Sequence, residues 1–286
     1  MRRHGIDHES PAPALSTELL IALWTPQLAS FNTPVDTDES HVRQRVQPKL
    51  CRRKARCSVI DFQTRDAVAL ITLDNGRLNI LSRAIHERLY RALLRFLRDD
   101  ALKVAVLTCR PGTSFSAGDD LKEIDLPYGD EPDWAELVTT IVRNKPIIAA
   151  TRGHCLGQGL VYLLLLTDIR FAAPDAKFGF PEIAKGMGGA ANVTQLATYI
   201  PSTVAWRMAL TGEPLNAEQA AACHLVNEVV DDAALLERAL AEAHKIAAHP
   251  LAALKAEMSP IGRFGGRANP WDSLALLSEI WSMQRQ

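Results

Sequence analysis

Ser116-Ala117-Gly118-Asp119-Asp120-Leu121 follows an apolar run at residues 104–108, and Gly153-His154-Cys155-Leu156-Gly157-Gln158-Gly159 follows another at residues 147–150. Each glycine-bearing segment lies where a strand-like stretch gives way to a helix-like one. A strand that turns tightly into a helix leaves backbone N–H groups pointing into open space, and the helix dipole adds partial positive charge there. Two such turns facing each other can hold one oxygen that becomes negative during a reaction: an oxyanion hole made of main chain. Other glycine chemistry does not fit. A G-x-x-x-x-G-K-[ST] phosphate loop is absent from both turns, and a dinucleotide fingerprint counted from Gly157 needs glycine where Tyr162 stands. A third segment, Phe178-Gly179-Phe180-Pro181-Glu182, adds a carboxylate in an apolar stretch. Apolar surroundings predict a raised pKa for Glu182, which suits a general acid or base.

The elements that must position these groups follow from periodicity. Residues 58–63 and 67–73 read as strands, with a turn at Asp74-Asn75-Gly76. Ser82 is placed to cap a helix whose apolar face is Ile85, Leu89, Leu93, Phe96 and Leu97, ending near Asp99. Residues 104–108 form a buried strand, 134–143 a helix, and 159–166 a helix after the strand that follows Pro146. Alternating strands and helices imply crossover connections and a largely parallel sheet. Further on, residues 202–211 predict a helix stopped by Gly212, and Asn216-x-x-Gln219 a capping box. Asp232 or a neighbour would cap a helix over 233–248, with later helices at 251–258 and 271–283.

Composition bounds the rest. The chain has 286 residues, 47% hydrophobic and 23% charged, which is ordinary globular composition with room for a large core. A net charge of −1 gives no global push toward nucleic acid or membrane. Cysteines 51, 57, 109, 155 and 223 lack the paired spacing of a zinc site or a disulfide scaffold, so reduced thiols and a cytoplasmic setting are expected. The apolar stretch 156–166 is too short to span a bilayer. Residues 1–57 are rich in Pro, Ser, Thr and Asp without sustained periodicity, and they end in a basic run from Arg43 to Arg56. That run could touch nucleic acid or the phosphates of a ligand; a solvated, disordered arm is the reading adopted.

Phe115-Ser116-Ala117-Gly118-Asp119-Asp120-Leu121-Lys122-Glu123 and Phe178-Gly179-Phe180-Pro181-Glu182 resemble motifs of the crotonase superfamily, the enoyl-CoA hydratase/isomerase family. Leu78-Asn79-Ile80-Leu81-Ser82, Ala209-Leu210-Thr211-Gly212-Glu213 and Leu225-Val226-Asn227-Glu228-Val229-Val230 resemble further motifs in the same order, so the likeness covers residues 58–283. It implies an α/β crotonase-like fold of repeated ββα units with a mostly parallel sheet. Residues 1–57 are then an extension, 58–200 the core, and 201–286 a helical region for lid and oligomer contacts, shortened relative to the family. The implied substrate is an acyl-CoA, or an acyl group on a similar phosphopantetheine arm. No cofactor is implied beyond the coenzyme A of the substrate, and no metal. The implied assembly is a homotrimer or dimer of trimers.

The resemblance also assigns positions. The oxyanion donors become the backbone N–H groups of Asp119 and Gln158, and Glu182 carries protons. Ala117, Gly118 and Gly157 flank the substrate; Arg77 and Lys122 lie where CoA phosphates approach. Three departures stand out. The family mostly has a small residue where Asp119 stands and glycine where Gln158 stands. An anionic side chain at 119 would oppose a developing oxyanion unless it points away or is protonated; it could also substitute as an acid or base. Hydratases of the family use a second glutamate, and counting places Val161 or Tyr162 there. Tyr162 could orient substrate or water. A single glutamate favours moving a double bond over adding water. The alternatives are decarboxylation or another thioester reaction, and a non-catalytic acyl-CoA-binding role.

Overall fold

The computed structural model describes residues 60–124, 126–187 and 196–259. Every described residue belongs to one compact unit within Ala55–Gln286. The expectations for residues 1–57 and for a helix at 271–283 lie outside the described residues.

A six-stranded sheet forms the centre. Its strands are β1 (Ile60–Arg65), β2 (Val68–Leu73), β3 (Val104–Cys109), β4 (Ile147–Thr151), β6 (Ile169–Ala172) and β9 (Glu228–Val229), in the order β1-β2-β3-β4-β6-β9. β1 and β2 pair antiparallel, as a short hairpin allows; every later pairing is parallel and needs a crossover. A second, three-stranded sheet joins β5 (His154–Leu156), β7 (Lys177–Gly179) and β8 (Leu215–Asn216). The crossovers are helices α1 (Arg83–Arg98), α2 (Trp134–Thr139) and α3 (Gln158–Leu166). The C-terminal part adds α4 (Ser202–Thr211), α5 (Ala217–Ala222), α6 (Leu235–Ala247) and α7 (Leu251–Glu257).

β3 is buried at every position because both of its faces are covered. Ala105 and Leu107 face a core with Ile85, Leu89, Leu93 and Phe96 of α1 and the apolar side chains of α3. Val104 and Val106 face the other way, against Leu235, Ala239, Leu240 and Ala243 of α6. Strand alternation thus sorts one sequence onto two cores.

Several local expectations meet a different physical solution. Ser82 occupies the N-cap position of α1 with extended backbone, but its side chain makes no cap bond. The cap is remote: the Arg83 N–H donates to Glu123 Oε2 at 2.8 Å. The helix predicted over 134–143 ends at Thr139. The hydroxyls of Thr139 and Thr140 both donate to the Glu136 carbonyl, and Arg143 turns inward instead of continuing the helix. Its guanidinium grips Asp168 through two bonds of 2.8 and 3.0 Å. The helix expected from 233 starts at Leu235, and Asp232 does not cap it; its carboxylate lies 2.5 Å from Arg152 Nε. The Asn216/Gln219 capping box is present on both sides, and Gly212 ends α4 in the left-handed conformation at φ 69°.

The Arg143–Asp168 pair fastens the chain entering β4 to the end of α3, since Asp168 Oδ2 also accepts the Ile147 N–H at 2.9 Å. The Arg143 side chain is only 3% exposed. Asp168→Ala leaves that cation buried without its partner, and unfolding free energy is expected to drop by about 3 kcal/mol. A denaturant titration checks this; a drop below about 1 kcal/mol, the size of a surface pair, overturns it.

Candidate active site

The two glycine turns meet. Ser116 pairs with Cys155 in a parallel bridge, the Ser116 N–H donating to the His154 carbonyl and the Leu156 N–H to the Ser116 carbonyl. A methyl group built on Gly118 would sit 3.2 Å from the Leu156 oxygen and 3.7 Å from the Gln158 nitrogen. Gly118 takes φ +98°, which L side chains avoid, so the first turn needs glycine. Gly157 takes φ 52° and ψ −128°, and a methyl there would lie 3.0 Å from Glu182 Oε1. The second glycine is therefore required twice, by its backbone and by the carboxylate pressed against it.

Hydrogen-bond alternation decides which amides stay available. In the Leu81–Asp119 bridge, the Leu81 N–H donates to the Gly118 carbonyl and the Asp120 N–H to the Leu81 carbonyl. The Asp119 N–H between them faces away from Leu81. Gln158 opens α3, so its N–H has no carbonyl one turn back; the His154 oxygen accepts from Ser116 instead. Ser116 steadies this arrangement. Its hydroxyl donates to the Asn79 carbonyl and accepts the Gly118 N–H.

A cavity of about 720 Å³ opens here, walled by Ala117, Gly118, Asp119, Gly157, Gln158 and Glu182. Leu78, Leu121, Ile124 and Met187 give it an exposed apolar rim, and Lys122 and Lys185 add two cations. Burial strips water from the Glu182 carboxyl and raises its pKa above the ordinary glutamate value; a backbone bond and Lys185 pull the other way, and the Asp119 charge adds to the rise. Glu182 Oε2 is buried with no hydrogen-bond partner among the described residues. A carboxyl held out of water in such a cavity can exchange a proton with a molecule bound there.

The structure brings Ala117, Gly118, Asp119, Lys122, Gly157, Gln158 and Glu182 to one cavity. Arg77 is exposed and is not among its walls. Val161 and Tyr162 are buried and are not among its walls. The Tyr162 hydroxyl bonds His86 Nδ1 at 2.6 Å, and His86 Nε2 stands 3.4 Å from Asp119 Oδ1. His86 escaped the sequence reading, although a histidine beside Ile85 within the turn-by-turn apolar face of α1 was the available signal. His154 and Cys155 form no nucleophilic pair: Cys155 is fully buried and burial raises its thiol well above the ordinary value. Among the described residues no cluster of three metal-ligating side chains occurs, and no helix is long and apolar enough to cross a membrane.

Known proteins resemble this chain in sequence and fold. Residues 63–263 match the family model described as Enoyl-CoA hydratase/isomerase. The chain is 37% identical over 198 residues to 2,3-dehydroadipyl-CoA hydratase of Escherichia coli (strain K12), covering 66% of this chain and 76% of that one. It is 31% identical over 196 residues to carboxymethylproline synthase of Pectobacterium carotovorum subsp. carotovorum, covering 66% and 78%. An enoyl-CoA hydratase of Mycobacterium tuberculosis H37Rv superposes with a TM-score of 0.64 at 29% identity, over 78% of this chain and 92% of that chain. The chain belongs to the enoyl-CoA hydratase/isomerase family, the crotonase superfamily, and has its fold.

Proposed function

We propose that this protein is an acyl-CoA enzyme that moves a double bond through a thioester enolate. The thioester oxygen sits between the Asp119 and Gln158 N–H groups, and Glu182 takes a proton from one acyl carbon and returns it to another. Two preorganised donors stabilise such an oxyanion by about 3 kcal/mol each. One carboxylate suffices for isomerisation, because nothing is added or lost. Lys122 and Lys185 supply charge for the CoA phosphates, and an acyl-phosphopantetheine arm meets the same groups. Coenzyme A is part of the substrate, and the chemistry calls on no separate cofactor. The observation carrying this reading is the contact of the two turns with Glu182 Oε1 against Gly157. A homotrimer or dimer of trimers in the cytoplasm goes with it; Trp206 and Leu210, exposed on α4, suit such an interface.

The test is turnover of a 3-enoyl-CoA against crotonyl-CoA. Conversion of the first to its 2-enoyl isomer supports the reading. Faster hydration of crotonyl-CoA, the type of reaction named for the Escherichia coli relative, replaces it with hydration. Acyl-CoA binding with no turnover of either leaves a non-catalytic role.

The raised pKa of Glu182 has a directional consequence. The carboxylate is the form that takes a proton, so kcat/KM is expected to fall as pH drops through a value above 4.5, earlier than for an ordinary glutamate. Lys185→Ala removes a charge that holds the pKa down and is expected to move this limb further up. A limb at or below pH 4.5 removes Glu182 from the proton step.

A further inference from the structure

We infer that His86 is a positioning residue, the counter-group that keeps the Asp119 carboxylate from opposing the enolate charge. The inference rests on the oxyanion reading above and concerns a residue that touches no substrate. The problem it solves is electrostatic. The backbone N–H of Asp119 is aimed at the developing anion, yet the same residue carries a negative side chain. Two like charges on one small, partly dehydrated cavity repel more strongly than in water.

The geometry shows what answers that charge. Asp119 Oδ1 is buried and lacks a hydrogen-bond partner among the described residues. His86 Nε2 stands 3.4 Å from it. At that separation the contact is an electrostatic approach, not a formed hydrogen bond. His86 reaches from α1, is 5% exposed and is held on its other side. The Tyr162 hydroxyl meets Nδ1 at 2.6 Å, and the two rings pack edge to face at 5.7 Å. Tyr162 is buried among apolar side chains, so its phenol stays protonated, and one hydrogen is shared between its oxygen and Nδ1. Where the phenol is the donor, the imidazole's own hydrogen lies on Nε2, the nitrogen facing Asp119. In that tautomer the imidazole presents a donor that draws the carboxylate toward α1, the helix that bears His86.

A pairwise test separates this role from a merely structural one. Wild type, His86→Gln, Asp119→Asn, the double variant and Tyr162→Phe are compared for kcat and KM on a 3-enoyl-CoA, with circular dichroism as the check on folding. His86→Gln is expected to lower kcat roughly a hundredfold, the size of losing one oxyanion donor, with little change in KM. Asp119→Asn, which removes the opposing charge, is expected to raise kcat on its own and to recover most of the loss in the double variant. Tyr162→Phe frees the imidazole and is expected to lower kcat in the same direction by less, which keeps the test usable where His86→Gln does not fold. A loss in His86→Gln that Asp119→Asn fails to relieve overturns the inference. So does a hundredfold loss in Asp119→Asn alone, which would make Asp119 a proton carrier. Glu182→Gln in the same panel reports on the enolate reading separately: if it stays active, that reading fails whatever the His86 pair shows.

Discussion

Glu182→Gln is expected to lower kcat on a 3-enoyl-CoA by about a hundredfold to ten-thousandfold, the range of one positioned acid or base. The substitution keeps shape and volume and removes only the ability to accept and release a proton. Among the described residues Glu182 Oε2 has no hydrogen-bond partner, so no bond to them is lost at that atom. Burial disfavours the charged form, so replacing it by a neutral amide is expected to leave the folded state at least as stable at neutral pH. Lower activity at unchanged or higher melting temperature is the signature sought. Full activity excludes Glu182 from the chemistry. Loss of activity together with a melting temperature several degrees lower would instead mark the residue as a piece of the fold.

Gly157→Ala is expected to be nearly as damaging to catalysis, through geometry alone. Its φ and ψ lie where only glycine is comfortable, so alanine costs about 1–3 kcal/mol of strain. The added methyl would also stand 3.0 Å from Glu182 Oε1, and the carboxylate must move to admit it. A displacement of about 1 Å in a catalytic group costs roughly a hundredfold in rate. Gly112→Ala is the matched control: its φ is +74° and nothing lies within 4 Å of the new methyl. It is expected to lose stability without losing kcat. Equal kcat in the two variants would show that the carboxylate accommodates the methyl and that contact with Gly157 does not set its position.

What could be read from the sequence was what depends on near neighbours. The glycine turns, the apolar stripe of α1, the capping box at Asn216 and the left-handed stop at Gly212 all follow from residues within one turn of each other. What escaped depends on contacts across the fold. The N-terminus of α1 is capped by Glu123, forty positions away, while the serine in place to do so makes no cap bond. The spacing of Arg143 fits the end of a helix, but its ion pair with Asp168 draws the guanidinium inward. His86 is polar, so it was passed over on a face recognised by its apolar residues. Tyr162 was considered for the cavity because of where it falls along α3, but the rotation of that helix turns its hydroxyl to His86.

The fastening of α1 to the cavity rim carries one more consequence. Glu123 holds the first N–H of α1, and Arg83 returns the grip on the carbonyls of Glu123, Leu126 and Pro127 while its guanidinium lies 4.1 Å above the Tyr128 ring. Leu121, Lys122 and Ile124 of the same segment line the entrance. Whatever widens or narrows that entrance must therefore strain a buckle tied to the helix that bears His86. Tuning this enzyme toward bulkier or slimmer acyl groups thus becomes a question of how tightly Arg83 and Glu123 are clasped, at two positions outside the cavity walls.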